Sequence, residues 1–266
     1  MSNVATKTTV KGILESENVK GRLQEILGKN APVFATSVIQ ISQTPALSKC
    51  DPASIVGAAM TSATLNLPIN NMLGYSYIIP FGDKATYQIG YKGFIQLAMR
   101  SGQFKTIHCT DVRVGEETNR DRLTGEMEFQ WEDDDQKREQ MKKAGYVAYF
   151  KLVNGYEATL YMSMDELTAH GKKFSQTFKR GGGLWNTDFD SMAQKTVLKL
   201  LLSKKAPLSI DMQTAVKTDQ ASFNNIDDAE DISYIDNEPL EPEIDHEYER
   251  MKLLVDDVKT MEDAEF

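Results

Sequence analysis

Aromatic and basic side chains are interleaved along the stretch of sequence from Met72 to Lys105. Aromatic rings can stack on nucleobases, and a basic surface can follow the phosphates of a strand, so this mixture indicates nucleic-acid binding. The aromatic residues are Tyr75, Tyr77, Phe81, Tyr87, Tyr91, Phe94 and Phe104, and the basic residues are Lys84, Lys92, Arg100 and Lys105. We expect the basic residues to neutralise phosphates, and Tyr87 or Tyr91 to stack on or position bases.

The motif Gly-x-x-Gly stands inside this stretch, at Gly90 to Gly93, and Lys92 lies between the two glycines. At the start of a helix, such a loop lets backbone N–H groups approach an anion closely. The same residues would also serve as a plain turn, with the neighbouring tyrosines packed on helices. The motif alone leaves both interpretations open.

A second basic stretch runs from Lys172 to Trp185 and contains three consecutive glycines. Glycine-rich chain can become ordered on contact with a ligand. We therefore expect a mobile loop that closes over a bound strand, in which Trp185 positions bases; a basic surface loop without that role is the alternative. The basic residues of this stretch are Lys172, Lys173, Lys179 and Arg180.

Two further lysines, Lys195 and Lys199, follow on a helix that the sequence predicts from residue 188 to 205. Because they are four residues apart, they share one face of the helix and are separated by about 6 Å along its axis. That separation would let both contact one sugar–phosphate backbone. Lys205, at the end of the helix, could act in the same way or offset the negative end of the helix dipole.

Hairpins and helices must position these residues. Alternating residues at 75–79, turn residues at 80–84 and β-prone residues at 86–89 predict a hairpin, followed by a helix that ends at Gly102. Asn154-Gly155 predicts a second hairpin, between 146–153 and 158–162. Strands are also predicted at 106–114 and 126–131, with a charged loop at 115–122 and a solvated acidic loop at 132–135. Helices are predicted at 18–27 and 188–205, and three more are predicted to start at Asn30, at Asp51 and at the capping box Ser163–Glu166. The expected fold class is α+β, with a small antiparallel β-sheet or hairpins packed against several helices.

The formal net charge of −9 is unevenly distributed along the chain. Residues 218–266 contain 17 acids and 3 bases, a balance of −14, which leaves +5 for residues 1–217. Within residues 1–217, the stretch 72–105 carries +3 and the stretch 172–205 carries +6. The positive field that could attract a nucleic acid therefore resides in these two stretches.

The acidic composition of residues 218–266 predicts a disordered linker that follows a DNA-binding core at residues 1–217. Near its end, a short amphipathic helix is predicted from the spacing of Tyr248, Met251, Leu254, Val255 and Val258. Such a helix would dock on another protein or on a neighbouring subunit. A tail that only keeps the protein in solution is the alternative.

The sequence gives no support to several kinds of site. It lacks the phosphate-binding motif G-x-x-x-x-G-K-[ST] of ATP-driven enzymes. Its two cysteines and three histidines lack metal-ligand spacing. We expect no cofactor, no metal and no catalytic residues. No apolar run approaches the roughly 20 residues that cross a bilayer, and no signal peptide is recognisable, so we expect a cytoplasmic protein that does not bind membranes.

Three alternatives to DNA binding remain at this point. The first is a metal-dependent nuclease that uses carboxylates such as Glu116, Glu117 or Asp121 to hold Mg²⁺. The second is an RNA-binding module built around Gly90 to Gly93. The third is a scaffold protein whose acidic tail is the functional part.

Four motifs of the chain are ALSKCD at 46–51, LGYSYIIPFGD at 73–83, QIGYKGFIQLAMRSGQ at 88–103 and MAQKTVLKLLLSKKAPLSIDMQTAV at 192–216. Together they resemble the RecT family of phage recombinases, which anneal complementary single strands of DNA. Their order and spacing also fit the family. The sequence departs from the family pattern at Met99, Gln194 and Leu200, where basic residues are usual.

The resemblance implies an ATP-independent protein that holds single-stranded DNA and the annealed duplex without catalysing a reaction. It also implies a homo-oligomer in the form of a ring or a helical filament. In the family, the C-terminal part is associated with a phage exonuclease or the host single-strand-binding protein, and residues 218–266 would fill that role. A strand would be held by its backbone in a basic groove, so that base pairing itself reads the sequence.

Overall fold

The computed structural model describes residues 9–70, 72–223 and 232–234, and it gives the backbone alone for 222–223 and 232–234. Most of the acidic segment predicted at 218–266 lies outside these residues, namely 224–231 and 235–266 with the amphipathic pattern at 248–258. Within the described part of the chain, no helix is both long enough and apolar enough to cross a membrane.

The N-terminal part of the fold is helical. It consists of α1 (Val10–Leu14), α2 (Glu17–Leu27), a 3₁₀ turn (Gly28–Asn30), α3 (Ala31–Ser42) and α4 (Pro52–Thr64). The predicted start of α4 is confirmed, since the side chain of Asp51 accepts a hydrogen bond of 3.0 Å from the N–H of Ser54. Ten of the thirteen residues of α4 are buried, which makes this helix a central element of the core.

The predicted first hairpin is confirmed. It is formed by β1 (Ser76–Phe81) and β2 (Lys84–Ile89), which pair antiparallel with Tyr77 opposite Gln88 and Ile79 opposite Thr86. Side chains alternate between the two faces of a strand, so the hairpin has two distinct faces. Its core face carries the buried residues Ile78, Ala85, Tyr87 and Ile89. Its outer face carries Tyr77, Ile79, Phe81, Lys84, Thr86 and Gln88.

Helix α5 (Tyr91–Arg100) follows β2 directly, as predicted. Its first turn lies against the chain that precedes β1. A Cβ atom on Gly90 would come closer than 3.0 Å to the carbonyl oxygen of Gly74, and one on Gly93 equally close to that of Tyr75. Both glycines of the Gly-x-x-Gly motif are therefore required by backbone packing, whatever else the motif does.

A three-stranded antiparallel sheet forms the next part of the fold, in the order β3 (Phe104–Arg113), β6 (Lys143–Leu152) and β7 (Glu157–Ser163). The predicted hairpin across Asn154-Gly155 joins β6 to β7 and is confirmed. The loop prediction at 115–122 is wrong in part, because β4 (Glu117–Arg120) pairs there with β5 (Met127–Phe129). The acidic loop leads into α6 (Asp135–Gln140), since the side chain of Asp134 accepts hydrogen bonds from two N–H groups of its first turn.

Helices return after the sheet. They are α7 (Met164–Phe174), α8 (Gln176–Lys179), α9 (Leu184–Thr187), α10 (Phe189–Lys205) and α11 (Ile210–Thr218). The capping box of Ser163 and Glu166 is present at the start of α7. The loop expected at 172–185 is wrong in part, because this stretch forms the end of α7, all of α8 and the start of α9, and the glycine-rich residues 180–183 connect the last two helices. The mobility of this stretch stays a prediction. The Phe178 and Trp185 rings, 5.7 Å apart between centroids, hold α8 and α9 together.

The described chain ends with β8 (Ala221–Phe223), which pairs antiparallel with β9 (Ile232–Tyr234) and packs against β2 and α4. The predicted domain boundary between Lys217 and Thr218 falls inside α11, and the buried residues Asp219 and Ala221 extend the core past it. The α+β fold class is confirmed: helices that precede and follow the three-stranded sheet share one main hydrophobic core with this sheet and the first hairpin.

Candidate nucleic-acid interface

The outer face of the β1–β2 hairpin faces the α8–α9 segment across a cavity of about 160 Å³. We call this cavity the hairpin groove. The hairpin wall includes Phe81, Thr86 and Gln88, and the opposite wall includes Thr177, Leu184 and Trp185. The two stretches in which the sequence concentrates aromatic and basic residues are therefore neighbours in the fold.

Basic residues belong to the elements that form both walls of the groove. Lys84 belongs to the outer face of the hairpin, where it pairs with Phe81 across the turn. Lys179 is the last residue of α8 and Arg180 follows it, and both side chains are exposed. These positions agree with the predicted contacts of the three residues with a phosphate backbone, which stay predictions.

Lys92 lies close to Tyr77, at the other end of the hairpin. The Lys92 Cδ atom and the Tyr77 hydroxyl both lie 3.5 Å from the position that a Cβ atom on Gly74 would occupy. Burial raises the pKa of Tyr77, and the nearby carboxylate of Asp188 raises it further. Lys92 itself is exposed and can reach a phosphate from this position.

The two tyrosines and the tryptophan that we expected to meet bases occupy different environments. The prediction that Tyr87 contacts a base is wrong. Tyr87 lies on the core face of β2 with 0% exposure, so it cannot stack on a base in this structure. Tyr91 is half-buried and packs against the core. Trp185 lines the hairpin groove but is 6% exposed, because Phe178 and Phe189 pack against it.

Lys195 and Lys199 share a helix face as predicted, but that face points inward. Both ammonium groups donate to the same carboxylate, Asp219, at 2.8 Å each. The side chain of Lys195 is 7% exposed and that of Asp219 is 1% exposed. The expected contact of these two lysines with a DNA backbone is therefore not available in this fold.

Lys195, Lys199 and Asp219 form a buried triad of charges. Burial and the neighbouring charges have opposite effects on the pKa values of Lys195 and Asp219. Burial would raise the pKa of Asp219, but Lys195 and Lys199 hold it below its ordinary value. Burial lowers the pKa of Lys195, and Asp219 opposes that change. Asp219 also accepts a hydrogen bond of 3.0 Å from the N–H of Ile89 in β2. Through these contacts the triad holds α10 and strand β2 of the hairpin against the residues that follow α11.

Other predicted contacts have structural partners. Arg100 donates to the carbonyl oxygens of Leu65 and Asn66, at 2.9 and 3.0 Å, and so caps the end of α4. The ammonium group of Lys205 donates to the carbonyl oxygen of Thr159 at 3.1 Å and ties α10 to β7. Arg100 and Lys205 therefore both form hydrogen bonds within the fold, and their predicted contacts with DNA stay predictions.

The remaining predicted residues, Lys105, Lys172 and Lys173, are exposed. Lys172 and Lys173 stand in the last turn of α7, where a positive charge offsets the helix dipole. Lys105 follows α5, whose ten residues span roughly 15 Å and separate it from the Lys92 end of the hairpin. Whether these three bind DNA stays a prediction.

The carboxylates proposed for a nuclease are not arranged as metal ligands. Glu116 is buried and accepts a hydrogen bond of 2.7 Å from Arg138. Burial would raise the pKa of Glu116, but Arg138 and two backbone N–H groups lower it below its ordinary value. In the part of the chain that the structure describes, no three His, Cys, Asp or Glu side chains are grouped so that they could hold a metal ion.

The sequence reasoning missed two residues of this region, Gln88 and Asp219. The alternation of β2 could have found Gln88, because it places this residue on the same face as Lys84 and Thr86. No local signal marks Asp219, which lies in a segment that composition assigns to the acidic tail.

Sequence comparisons find a matching family model and similar proteins over most of the chain. The model of the RecT family matches residues 33–234. The chain is 44% identical to the uncharacterized protein YqaK of Bacillus subtilis (strain 168) over 235 residues, which cover 87% of this chain and 80% of that protein. It is 29% identical to protein RecT of Escherichia coli (strain K12) over 220 residues, which cover 74% of this chain and 76% of that protein.

Proposed function

The chain belongs to the RecT family of single-strand annealing recombination proteins. From this premise we propose that it binds single-stranded DNA along the hairpin groove and promotes the pairing of complementary strands without ATP. The observation that carries the proposal is the meeting of the two basic and aromatic stretches on opposite walls of one cavity. A strand that follows this cavity would meet aromatic residues inside it and positive charges along its borders.

The chemistry required of the protein is binding alone. Lys92, Lys179 and Arg180 neutralise phosphates, which lowers the repulsion between two strands that approach each other. The strand is held by its backbone, so most base edges stay free to test a second strand. Base pairing supplies the driving force, and no nucleotide hydrolysis is needed.

Self-assembly would extend this activity along a strand. A head-to-tail contact between copies generates a ring or a helical filament, and either would hold a long strand across many grooves. Residues beyond 234 would then be available for a phage exonuclease or a single-strand-binding protein. We propose the cytoplasm of a bacterial cell as the site of this activity.

The annealing of two complementary oligonucleotides tests the proposal directly. We expect the protein, added to one strand before the other, to accelerate pairing to the same extent with ATP, without ATP and with EDTA. Cleavage of the DNA that requires Mg²⁺ and is abolished by EDTA would instead establish a nuclease. Tighter binding to RNA than to DNA of the same sequence would instead establish an RNA-binding module.

The double variant Lys179→Ala with Arg180→Ala tests the groove assignment. Its affinity for single-stranded DNA is expected to fall roughly tenfold, and the slope of log K against log salt to fall by roughly 1.4, because two phosphate contacts are lost. Lys20→Ala with Lys29→Ala is the matched control, since it removes two exposed charges from the N-terminal helical region. Equal losses in both variants would show that net charge, and not the groove, determines affinity.

Removal of residues 235–266 is expected to strengthen DNA binding at low salt. This segment carries 12 acids and 3 bases, and its charge repels the phosphates that the groove attracts. The gain should vanish at high salt, where charges in solvent are screened. An affinity that does not change at low salt would contradict an electrostatic role for the tail.

A further inference from the structure

Helix α3 carries apolar residues around most of its circumference but is covered only in part. None of its twelve residues is charged, and the two that are buried are Ala31 and Val38. Val33 is 70% exposed. The half-buried apolar residues of the helix are Phe34, Ala35, Ile39 and Ile41. Because a helix of this composition is normally covered on more than one side, we expect a further element to pack on α3.

A groove of about 360 Å³ lies between α1, α2 and α3. We call it the N-terminal groove. Its charged lining residues are Glu15 and Lys20, and its apolar lining residues are Leu14, Leu23, Ala31, Pro32, Ala35 and Ile39. A cavity of about 150 Å³ accepts one benzene molecule, so the N-terminal groove has room for about two large apolar side chains.

One segment outside the described residues has the pattern that suits such a groove. Residues 1–8 and 224–231 contain few large apolar residues. Residues 248–258, in contrast, predict a short helix with one apolar face. The residues of this face, three and four positions apart, are Tyr248, Met251, Val255 and Val258. Apolar residues at this spacing are how an amphipathic helix binds a hydrophobic groove.

The segment also matches the groove in length and charge. Helix α3 has 12 residues and the segment has 11, so that each is about 16–18 Å long as a helix. Lys20 is exposed at the rim of the groove. Carboxylates of the segment, such as Glu249 or Asp256, can offset its charge.

The segment can reach the groove from Tyr234, the last residue that the structure describes. Tyr234 ends β9, which pairs with β8, and β8 packs on α4. Helix α4 in turn contacts α1, α2 and α3. Residues 235–247 join Tyr234 to the segment and span up to about 43 Å when extended, which is enough to pass around a helix about 10–12 Å in diameter.

We propose that residues 248–258 bind as a helix in the N-terminal groove of their own chain, with Met251 and Val255 as the central anchors. The inference goes beyond the proposed function and does not depend on DNA binding. Because the segment is tethered, its concentration at the groove is roughly millimolar, and even a weak contact is populated. Docking covers the apolar face of the segment, so a protein partner that binds this face must first displace it.

Disulfide trapping in the full chain tests the proposal. Ala35→Cys places a thiol in the groove and Val255→Cys places one on the segment, and a disulfide requires Cα atoms within about 7 Å. Ala35→Cys with Asp257→Cys is the matched control, because residue 257 falls on the opposite side of the predicted helix. Burial raises the pKa of the native Cys50 and Cys109 thiols, which keeps them slow to react. We expect the first pair to close within one chain roughly tenfold faster than the control.

Backbone hydrogen exchange gives a second readout that needs no added cysteine. In the full-length parent protein, the N–H groups of α2 and α3 are expected to exchange several-fold more slowly than in the variant Met251→Asp with Val255→Asp. Exchange in α10 should be the same in both proteins. Arg250→Ala with Asp257→Ala changes the other face of the same predicted helix and should leave the exchange of α3 as in the parent protein.

Other occupants of the N-terminal groove give different results. Disulfides that join two chains, or protection of α3 that rises with protein concentration and ignores the variants of the segment, would place a second copy there and overturn the proposal. Protection that appears only after another protein is added would assign the groove to that protein instead. Equal trapping of both cysteine pairs, with equal exchange in every variant, also overturns the proposal. Each of these results leaves the annealing of DNA untouched.

Discussion

Asp219→Asn is expected to lower the free energy of unfolding by about 3–5 kcal/mol. The substitution leaves Lys195 and Lys199 next to each other without their shared counter-charge, in a region where the side chain of Lys195 is 7% exposed. It also weakens the acceptor that holds the N–H of Ile89. Urea unfolding of the variant and of the parent protein measures the difference.

Two further variants show whether the lost charge pairing is the cause. Glu139→Gln also removes one acidic charge, but from an exposed position, and is expected to change stability by less than about 0.5 kcal/mol. Replacing both lysines as well, in Lys195→Met with Lys199→Met and Asp219→Asn, removes the unpaired charges and keeps an amide oxygen for the N–H of Ile89, so it is expected to restore most of the lost stability. A triple variant as unstable as Asp219→Asn would contradict this account.

The contribution of Asp219 should depend on pH in a defined direction. The two lysines hold its pKa below the ordinary value of 3.8, so the stabilisation is complete above that pH and is lost as the pH falls further. The difference between the parent protein and Asp219→Asn is therefore expected to narrow as the pH falls below 3.8. A difference that stays the same as the pH falls well below 3.8 would contradict the assignment.

The triad also determines how DNA-binding variants must be chosen. Lys195→Ala with Lys199→Ala would leave Asp219 buried without a partner, so a loss of DNA affinity would report loss of the fold. A truncation after Lys217 would remove Asp219 and Ala221 from the core. Truncation after Tyr234 keeps every residue that the structure describes and is the change that tests the tail.

Gly93→Ala is expected to destabilise the protein by about 3 kcal/mol or more, and to leave little folded material. Its Cβ atom would come closer than 3.0 Å to the carbonyl oxygen of Tyr75 and to a methyl group of Ile89. Backbone atoms cannot move aside as the end of a flexible side chain can, so the start of α5 would have to separate from the hairpin. Thermal unfolding and yield of soluble protein measure the effect.

Gly21→Ala is the matched control for this prediction. Gly21 lies inside α2, and a Cβ atom there would meet nothing within 4 Å. Alanine is the better helix former by about 1 kcal/mol, so this variant should be somewhat more stable than the parent protein. The same exchange of glycine for alanine in two helices is thus expected to change the free energy of unfolding in opposite directions. A stabilising effect of Gly93→Ala would contradict the close packing of Gly93 against Tyr75.

Much of the local structure could be predicted from the sequence because its causes are local. Asp51 and Ser163 stand next to the N–H groups that they cap, and Asn154-Gly155 closes its own hairpin. The alternation of β1 and β2 specifies two faces of the hairpin. It could not specify which face is buried, and for that reason Tyr87 was expected at the surface.

The sequence by itself determined the α+β class, most of the long helices and hairpins, the family and the two stretches in which positive charge and aromatic residues are concentrated. Only the tertiary structure decided which partner each charged side chain contacts. The spacing of Lys195 and Lys199 places them on one helix face, but only the folded chain brings Asp219 against that face. In the same way, only folding places Gln88 opposite Leu184 and Trp185. The physical reason is that spacing fixes the direction of a side chain within its own element, whereas its burial and its partners depend on segments far away in the sequence.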